Sequence, residues 1–386
     1  MSDHRNDLAE NLRRSAFAFR GYNVANLGRT PELLVHPIYG PIVESHLRQA
    51  SIICSEGTHR AVDLVERVRA GRETTGIHEF AEDVALIGGV EMAQIQLLQE
   101  FHGISVANAQ MAFGYSLGEC SALIAAGVYD MANLLRVPVA MADDCAKLAE
   151  GVKLGVLLSR APVLDFDLVR RLCMTISQEG KGVVDVSANL APNSLLLMGQ
   201  NRSLAEFETR LRDIYPLNVA LRPHSNRFPP LHTPIMWQRN IPDRTALLLQ
   251  TTPGGFTAPS VPVLSMVTGE ASYGALNSRE LLHRWVYQPQ RLWENVYTVL
   301  AQGVETVIHV GPAPNLVPAT FRRLSSSISN RLAERGLSGI GQRAISQLVR
   351  RPWLTRLLPS SAVLFRAPFV RQVILEDWLL ANEPRR

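Results

Sequence analysis

Helical and strand-like signals alternate along this chain from about residue 15 to residue 325. Strands separated by crossover helices pack as a sheet covered on both faces, so the alternation restricts the fold to the α/β class. Ser15–Phe19 is a short apolar run closed by Arg20-Gly21, and residues 40–53 and 81–101 carry the apolar spacing of helices. Residues 106–113 have the length and apolarity of a strand, and residues 119–126 read as helix. Residues 153–222 have a rhythm of their own: strand at 155–158, helix at 164–177, strands at 183–188 and 195–198, helix at 204–215, strand at 217–221. That β-α-β-β-α-β order predicts a ferredoxin-like small subdomain, inserted into a large α/β subdomain formed by residues 15–152 and 223–329. After a proline-rich loop, strand signals return at 261–267 and 306–310. Residues 330–386 read as an Arg-rich helical C-terminal extension.

Composition narrows the class further. With 386 residues, 46% hydrophobic and 19% charged, the chain can form two or so compact units with a large core. Wholesale disorder, collagen and a disulfide scaffold are excluded. The formal charge is +4, and only Lys147, Lys153 and Lys181 are lysines, which leaves 36 arginines. Codon usage in a GC-rich genome accounts for such a bias; the sharper reading is guanidinium forks that grip anionic partners. Residues 1–14 are polar with no apolar leader, and no apolar run approaches the ~18 residues of a membrane-spanning helix, so a cytoplasmic location is expected. Cys54, Cys120, Cys145 and Cys173 are widely spaced, with no C-x-x-C pair or Cys/His cluster, and are expected as small buried apolar residues rather than a metal or redox site. No motif supports nucleic-acid binding.

Gly114-Tyr115-Ser116-Leu117-Gly118 has the G-x-S-x-G form where strand turns into helix. A serine on so tight a turn needs flanking glycines to let neighbouring backbone approach. Its hydroxyl then stands at a helix N-terminus, where the dipole and free N–H groups favour developing negative charge. A tight connection with an N-capping serine is the plain structural alternative. A nucleophilic serine also needs a base. Of the ten histidines, His232 stands in a rigid loop, Phe228-Pro229-Pro230-Leu231-His232-Thr233-Pro234, where the chain returns from the inserted segment. His309 and His283 compete with it, because such partners meet in space rather than in sequence.

The stretch from Gly114 to Val128, GYSLGECSALIAAGV, resembles the G-H-S-L-G-E-Y-S-A-L-x-x-A-G-V signature of the malonyl-CoA:acyl-carrier-protein transacylase family. That family includes the acyltransferase domains of fatty acid and polyketide synthases. Further blocks follow in the family's order: Ala188-Asn189-Leu190-Ala191-Pro192 with Gly199, Leu231-His232-Thr233-Pro234-Ile235-Met236, Val263 to Gly269, and His309-Val310-Gly311-Pro312. The resemblance spans about residues 15–325. It implies an α/β-hydrolase-like large subdomain with a mostly parallel central sheet. It further implies a Ser/His dyad acting by ping-pong chemistry, with Ser116 attacking a thioester and His232 taking its proton. Trp285 matches the position whose backbone carbonyl orients the histidine. The oxyanion hole would be the N–H of Leu117 with that of Tyr22, in a loop running from Gly21 to Gly28. No permanently bound cofactor is implied; acyl-CoA would be the donor, and the 4′-phosphopantetheine of an acyl carrier protein the acceptor.

Departures from the family pattern bear on substrate. Malonyl-type members carry an arginine that pairs with the free carboxylate of the acyl group; here Met141 stands there, 25 residues after Ser116. A thioether cannot pair with a carboxylate, and burying that charge alone is costly. The expected acyl group therefore lacks a free carboxylate, and Tyr115, Met141 and Leu231 shape its pocket. Alternatives are a malonyl-specific enzyme with a relocated carboxylate-binding group (Arg20 or Arg29), an editing acyl-carrier-protein thioester hydrolase, and a non-catalytic carrier-docking scaffold. An α/β-hydrolase esterase would want a late Asp/Glu and His pair, and a patatin-type lipase a D-G-G/A motif; neither pattern is found. The extension carries Arg343, Arg350, Arg351, Arg356, Arg366 and Arg371 among apolar residues. Packing back on the core is its favoured reading; a basic surface for an acidic carrier protein or a reversible membrane contact is the functional one.

Overall fold

The computed structural model describes residues 8–160, 163–215, 217–333 and 360–384. The chain begins with β1 (Ser15–Phe19), α1 (Gly40–Thr58), α2 (Phe80–His102), β2 (Met111–Gly114), α3 (Leu117–Ala125) and α4 (Arg136–Ala149). It continues through β3 (Val152–Ser159), α5 (Phe166–Gln178), β4 (Val184–Ala191), β5 (Ser194–Gln200), α6 (Ser203–Ile214) and β6 (Val219–Pro223). Then come α7 (Ile241–Thr251), β7 (Val263–Leu264), α8 (Ser278–Tyr287), β8 (Gln290–Arg291), α9 (Leu292–Ala301), β9 (Thr306–Val310) and α10 (Leu316–Ala333). Last are β10 (Arg371–Ile374) and α11 (Leu375–Ala381); short helical turns are left unlabelled.

Two five-stranded sheets organise these elements. The large sheet has the order β10-β9-β1-β2-β7, and every pairing in it is parallel. Its central strand β1 shows why the sheet must be covered twice. Phe17 and Phe19 pack into a core shared with α1 to α4, while Ala16 and Ala18 face the opposite core beneath α9 and α10. The small sheet has the order β6-β3-β5-β4-β8; β3 to β6 are antiparallel neighbours, and β8 pairs parallel to β4. Helices α5 and α6 cover one face of this sheet around Leu157, Val186, Leu197 and Phe207. No helix among the described residues is long and apolar enough to cross a membrane.

The structure differs from the sequence expectations at several places. The strand expected over 106–113 is a 3₁₀ turn at Val106–Asn108 followed by the shorter β2, and the strand expected over 261–267 shrinks to Val263–Leu264. The C-terminal extension is not wholly helical. Residues 371–374 form β10, which adds to the large sheet in parallel register with β9. Arg366 is buried and donates to the carbonyls of Leu300 and Val304, so it belongs to the core and not to a landing surface. Arg371 is half-buried within β10. Arg343, Arg350, Arg351 and Arg356 lie outside the described residues.

Candidate active site

Strand β2 ends at Gly114, and helix α3 starts at Leu117, leaving Tyr115 and Ser116 to make the turn. A Cβ on Gly114 would stand 2.0 Å from the carbonyl of Gly118, and a Cβ on Gly118 would stand 2.3 Å from the carbonyl oxygen of Phe19. Only glycine at both places lets the elbow fold against β1. Ser116 at its apex has φ of 53° and ψ of −118°, a left-side conformation costing an L-residue about 1–3 kcal/mol. His232 also has positive φ, 65°.

These two strained residues meet. Ser116 Oγ lies 2.7 Å from His232 Nε2, and His232 Nδ1 lies 2.6 Å from the carbonyl oxygen of Trp285. A carbonyl can only accept, so Nδ1 carries the proton; the neutral ring then offers Nε2 as acceptor to the serine hydroxyl. Burial pushes the imidazole pKa down to about 4, against a weaker upward pull from the Trp285 carbonyl. His309 is committed elsewhere, its Nε2 lying 2.7 Å from Gln372 Oε1. His283 sits in an aromatic group with Trp237 and Tyr287.

The glycine loop lies against the elbow at Ser116. A Cβ on Gly21 would lie 2.6 Å from the Tyr115 carbonyl oxygen and 3.4 Å from Ser116 Cβ. Tyr22 and Leu117 both line the cavity at Ser116. Leu117 opens α3, so its N–H is among the first-turn donors without an intrahelical acceptor. The Tyr22 ring packs edge-on against Phe80 and Phe228. Three carboxylates brace this loop. Glu91 accepts from Arg20 N at 2.8 Å, Glu73 accepts from Asn26 N at 2.9 Å, and Glu376 of α11 accepts from Arg29 N at 2.8 Å. Glu376 also accepts from Ala313 N at 2.9 Å, tying the turn after β9 to the same brace.

A cavity of about 780 Å³ opens at Ser116. Val137, Met141 and Cys145 stand at i, i+4 and i+8 of α4, and so share the helix face that lines one side with Phe80 and Val84 of α2 and Ile241 of α7. Leu154, Val156 and Leu158 alternate along β3 and give the small sheet's uncovered face to the other side, with Leu196 and Met198 of β5. Tyr115, Met141 and Leu231 all line the cavity. Neither arginine considered as a relocated carboxylate binder is available there. The Arg20 guanidinium is buried and donates to the carbonyls of Gly21, Ala25 and Pro312 and to Asn26 Oδ1. Arg29 pairs with Glu32 and Asp377 and is not part of the lining. Exposed Arg222 and Arg323 line the cavity's outer part.

Sequence reasoning missed two contacts to Ser116. Gln290 Oε1 accepts from Ser116 N at 3.1 Å, and Trp285 Nε1 donates to the Ser116 carbonyl at 3.0 Å. At Trp285 the side chain was expected to matter less than the main chain; it is bonded to the elbow as well. No local pattern could signal either contact, because the partners lie 174 and 169 residues apart.

An apolar cavity beside a serine elbow, a histidine bonded to a carbonyl, and a parallel sheet covered on both faces beside a smaller, mostly antiparallel sheet define an α/β fold with a candidate serine–histidine site. In sequence the chain is similar to malonyl CoA-acyl carrier protein transacylases. Malonyl CoA-acyl carrier protein transacylase of Escherichia coli K12 is 29% identical over 234 residues, covering 59% of this chain and 70% of that protein. The polyketide synthase GfsA of Streptomyces halstedii is 24% identical over 314 residues, which is 78% of this chain but 4% of that synthase's length. An acyl carrier protein S-malonyltransferase structure from Vibrio cholerae superposes with a TM-score of 0.65 at 22% identity, covering 80% of this chain and 93% of that one. A malonyl-transacylase solved in complex with a type II polyketide synthase acyl-carrier protein gives 0.63 at 23% identity, over 80% and 92% of the two chains. No family model matches the chain.

Proposed function

We propose that this protein transfers an acyl group from CoA or a carrier protein, through an acyl-Ser116 intermediate, to the phosphopantetheine thiol of an acyl carrier protein in fatty acid or polyketide assembly. The observation that carries the reading is the 2.7 Å contact between Ser116 Oγ and His232 Nε2, both lining a largely apolar cavity. His232 takes the Ser116 proton as Oγ bonds to the thioester carbon, and returns it to the departing thiolate. In the second half-reaction it takes the proton of the incoming thiol, whose sulfur displaces Oγ, and gives that proton back to Oγ as the ester bond breaks. The N–H groups of Leu117 and Tyr22 receive the oxyanion in both halves. Arg222 and Arg323 give the outer cavity positive charge, which suits the phosphates of either thioester carrier.

The acyl group carries no free carboxylate. Met141 offers a thioether to the space where a carboxylate would need a cation, and a lone buried carboxylate is strongly disfavoured. Intact-protein mass after incubation with acetyl-, hexanoyl- and malonyl-CoA reads the adduct directly. Neutral acyl adducts that vanish in Ser116→Ala are expected; faster acylation by malonyl-CoA than by the neutral donors would overturn the acyl assignment. Adding a holo-carrier protein should move the label to its thiol. Release as free acid alone would assign the chain to thioester hydrolysis instead.

A further inference from the structure

The segment from Trp285 to Gln290 holds both reacting residues at once. It gives His232 two acceptors, the Trp285 carbonyl to Nδ1 at 2.6 Å and the Val286 carbonyl to the backbone N–H at 2.8 Å. It takes the Ser116 peptide from both sides, with the Trp285 indole on its carbonyl and the Gln290 amide on its N–H. The Trp285 ring also stands edge-on to the imidazole, centroids 5.2 Å apart at 74°. Ser116 and His232 are the residues at the site whose positive φ must be held against relaxation.

Gln290 makes the arrangement unusual. It is fully buried, and its Nε2 has no partner. An apolar side chain in that space would avoid the cost of an orphaned amide hydrogen pair, so the residue carries a local penalty. What it supplies in return is the acceptor for the N–H of Ser116, which forms no bond to a main-chain acceptor at this turn.

We propose that the Trp285 indole N–H and the Gln290 side-chain carbonyl are positioning groups that fix the Ser116 peptide relative to His232, so that one short segment sets the nucleophile-to-base geometry. The proposal rests on Ser116 being the nucleophile. It adds that the Trp285 side chain, and not only its main-chain carbonyl, serves the reaction.

The test is the rate of Ser116 modification by a fluorophosphonate, which needs the nucleophile and its base but neither the natural acyl group nor a carrier. Trp285→Phe keeps the ring and the carbonyl but loses the N–H; 3-benzothienylalanine at position 285 does the same while keeping the indole's shape. Gln290→Leu removes the acceptor. Each is expected to be labelled about tenfold more slowly than wild type. The acid midpoint of the rate should stay in place, because His232 keeps its carbonyl partner. Labelling of the benzothienyl and Gln290→Leu proteins at the wild-type rate would overturn the proposal. A moved acid midpoint would also overturn it, since the side chains would then be acting through the histidine and not through the serine peptide. Failure of wild type itself to be labelled would instead remove the acyl-serine reading on which the proposal stands.

Discussion

His232 is pulled in two directions by its surroundings, and burial wins. With its pKa near 4 the ring is neutral at pH 7, and no carboxylate has to be ionised beside it. Acylation of Ser116 should therefore be nearly flat from pH 8 to pH 5 and fall to half near pH 4, read by mass spectrometry in pulsed reactions. The same shift acts on stability. The unfolded histidine binds its proton near pH 6.5 and the folded one only near 4, so the unfolded state gains protons first and stability declines as pH falls through that window. Met141→Arg is the matching test of the pocket: malonyl adduct on Ser116 should rise at least about tenfold over wild type, because a guanidinium pairs with the carboxylate two bonds at a time. At this scale the sequence was half legible. The glycine spacing around Ser116 states a steric need, so the elbow could be read locally. His232 was one candidate among several until the family's ordered motifs singled it out, and Gln290 carried no signal because its role exists only once β8 lies beside the elbow.

Two elements near the site depend on very close approach or on a single buried group. Gly118→Ala would place a methyl 2.3 Å from the Phe19 carbonyl oxygen and 2.7 Å from that of Arg20. Backbone lines that space, so the gain from helix propensity is overridden and a net loss of about 2 kcal/mol is expected in urea unfolding. Glu376→Ala would take the acceptor from the part-buried N–H groups of Arg29 and Ala313, at about 1–2 kcal/mol together, and would slow Ser116 labelling because the glycine loop loses one of its anchors. Element order was mostly readable, since α1, α5, α6 and the strands of the small sheet carry clear apolar spacing, but α4 was not anticipated. Nor was strand β10. Four residues beginning with Arg371 look like part of a basic helical tail until β9 offers them a partner, and a parallel pairing leaves no hairpin signal between strands so far apart.

Over the whole molecule, the two sheets share a seam. Strand β8 pairs with β4 of the small sheet while Gln290 within it holds Ser116, and Ser187 Oγ of β4 donates to the Leu231 carbonyl next to His232. A chain ending at residue 333 would lose β10 and α11, leave the parallel edge of β9 bare and remove Glu376 from the glycine loop. Such a truncation should fractionate with insoluble protein and leave no labelled serine in the soluble fraction. The brace at Glu376 also sets a clock. Arg29 and Glu376 are 347 residues apart, so at ribosomal speeds of about 5–20 residues per second the loop waits roughly 20–70 s for its partner. During that interval β1, the central strand, also lacks β9 on one side. The nascent chain therefore holds an unfinished site until β10 and α11 have been made.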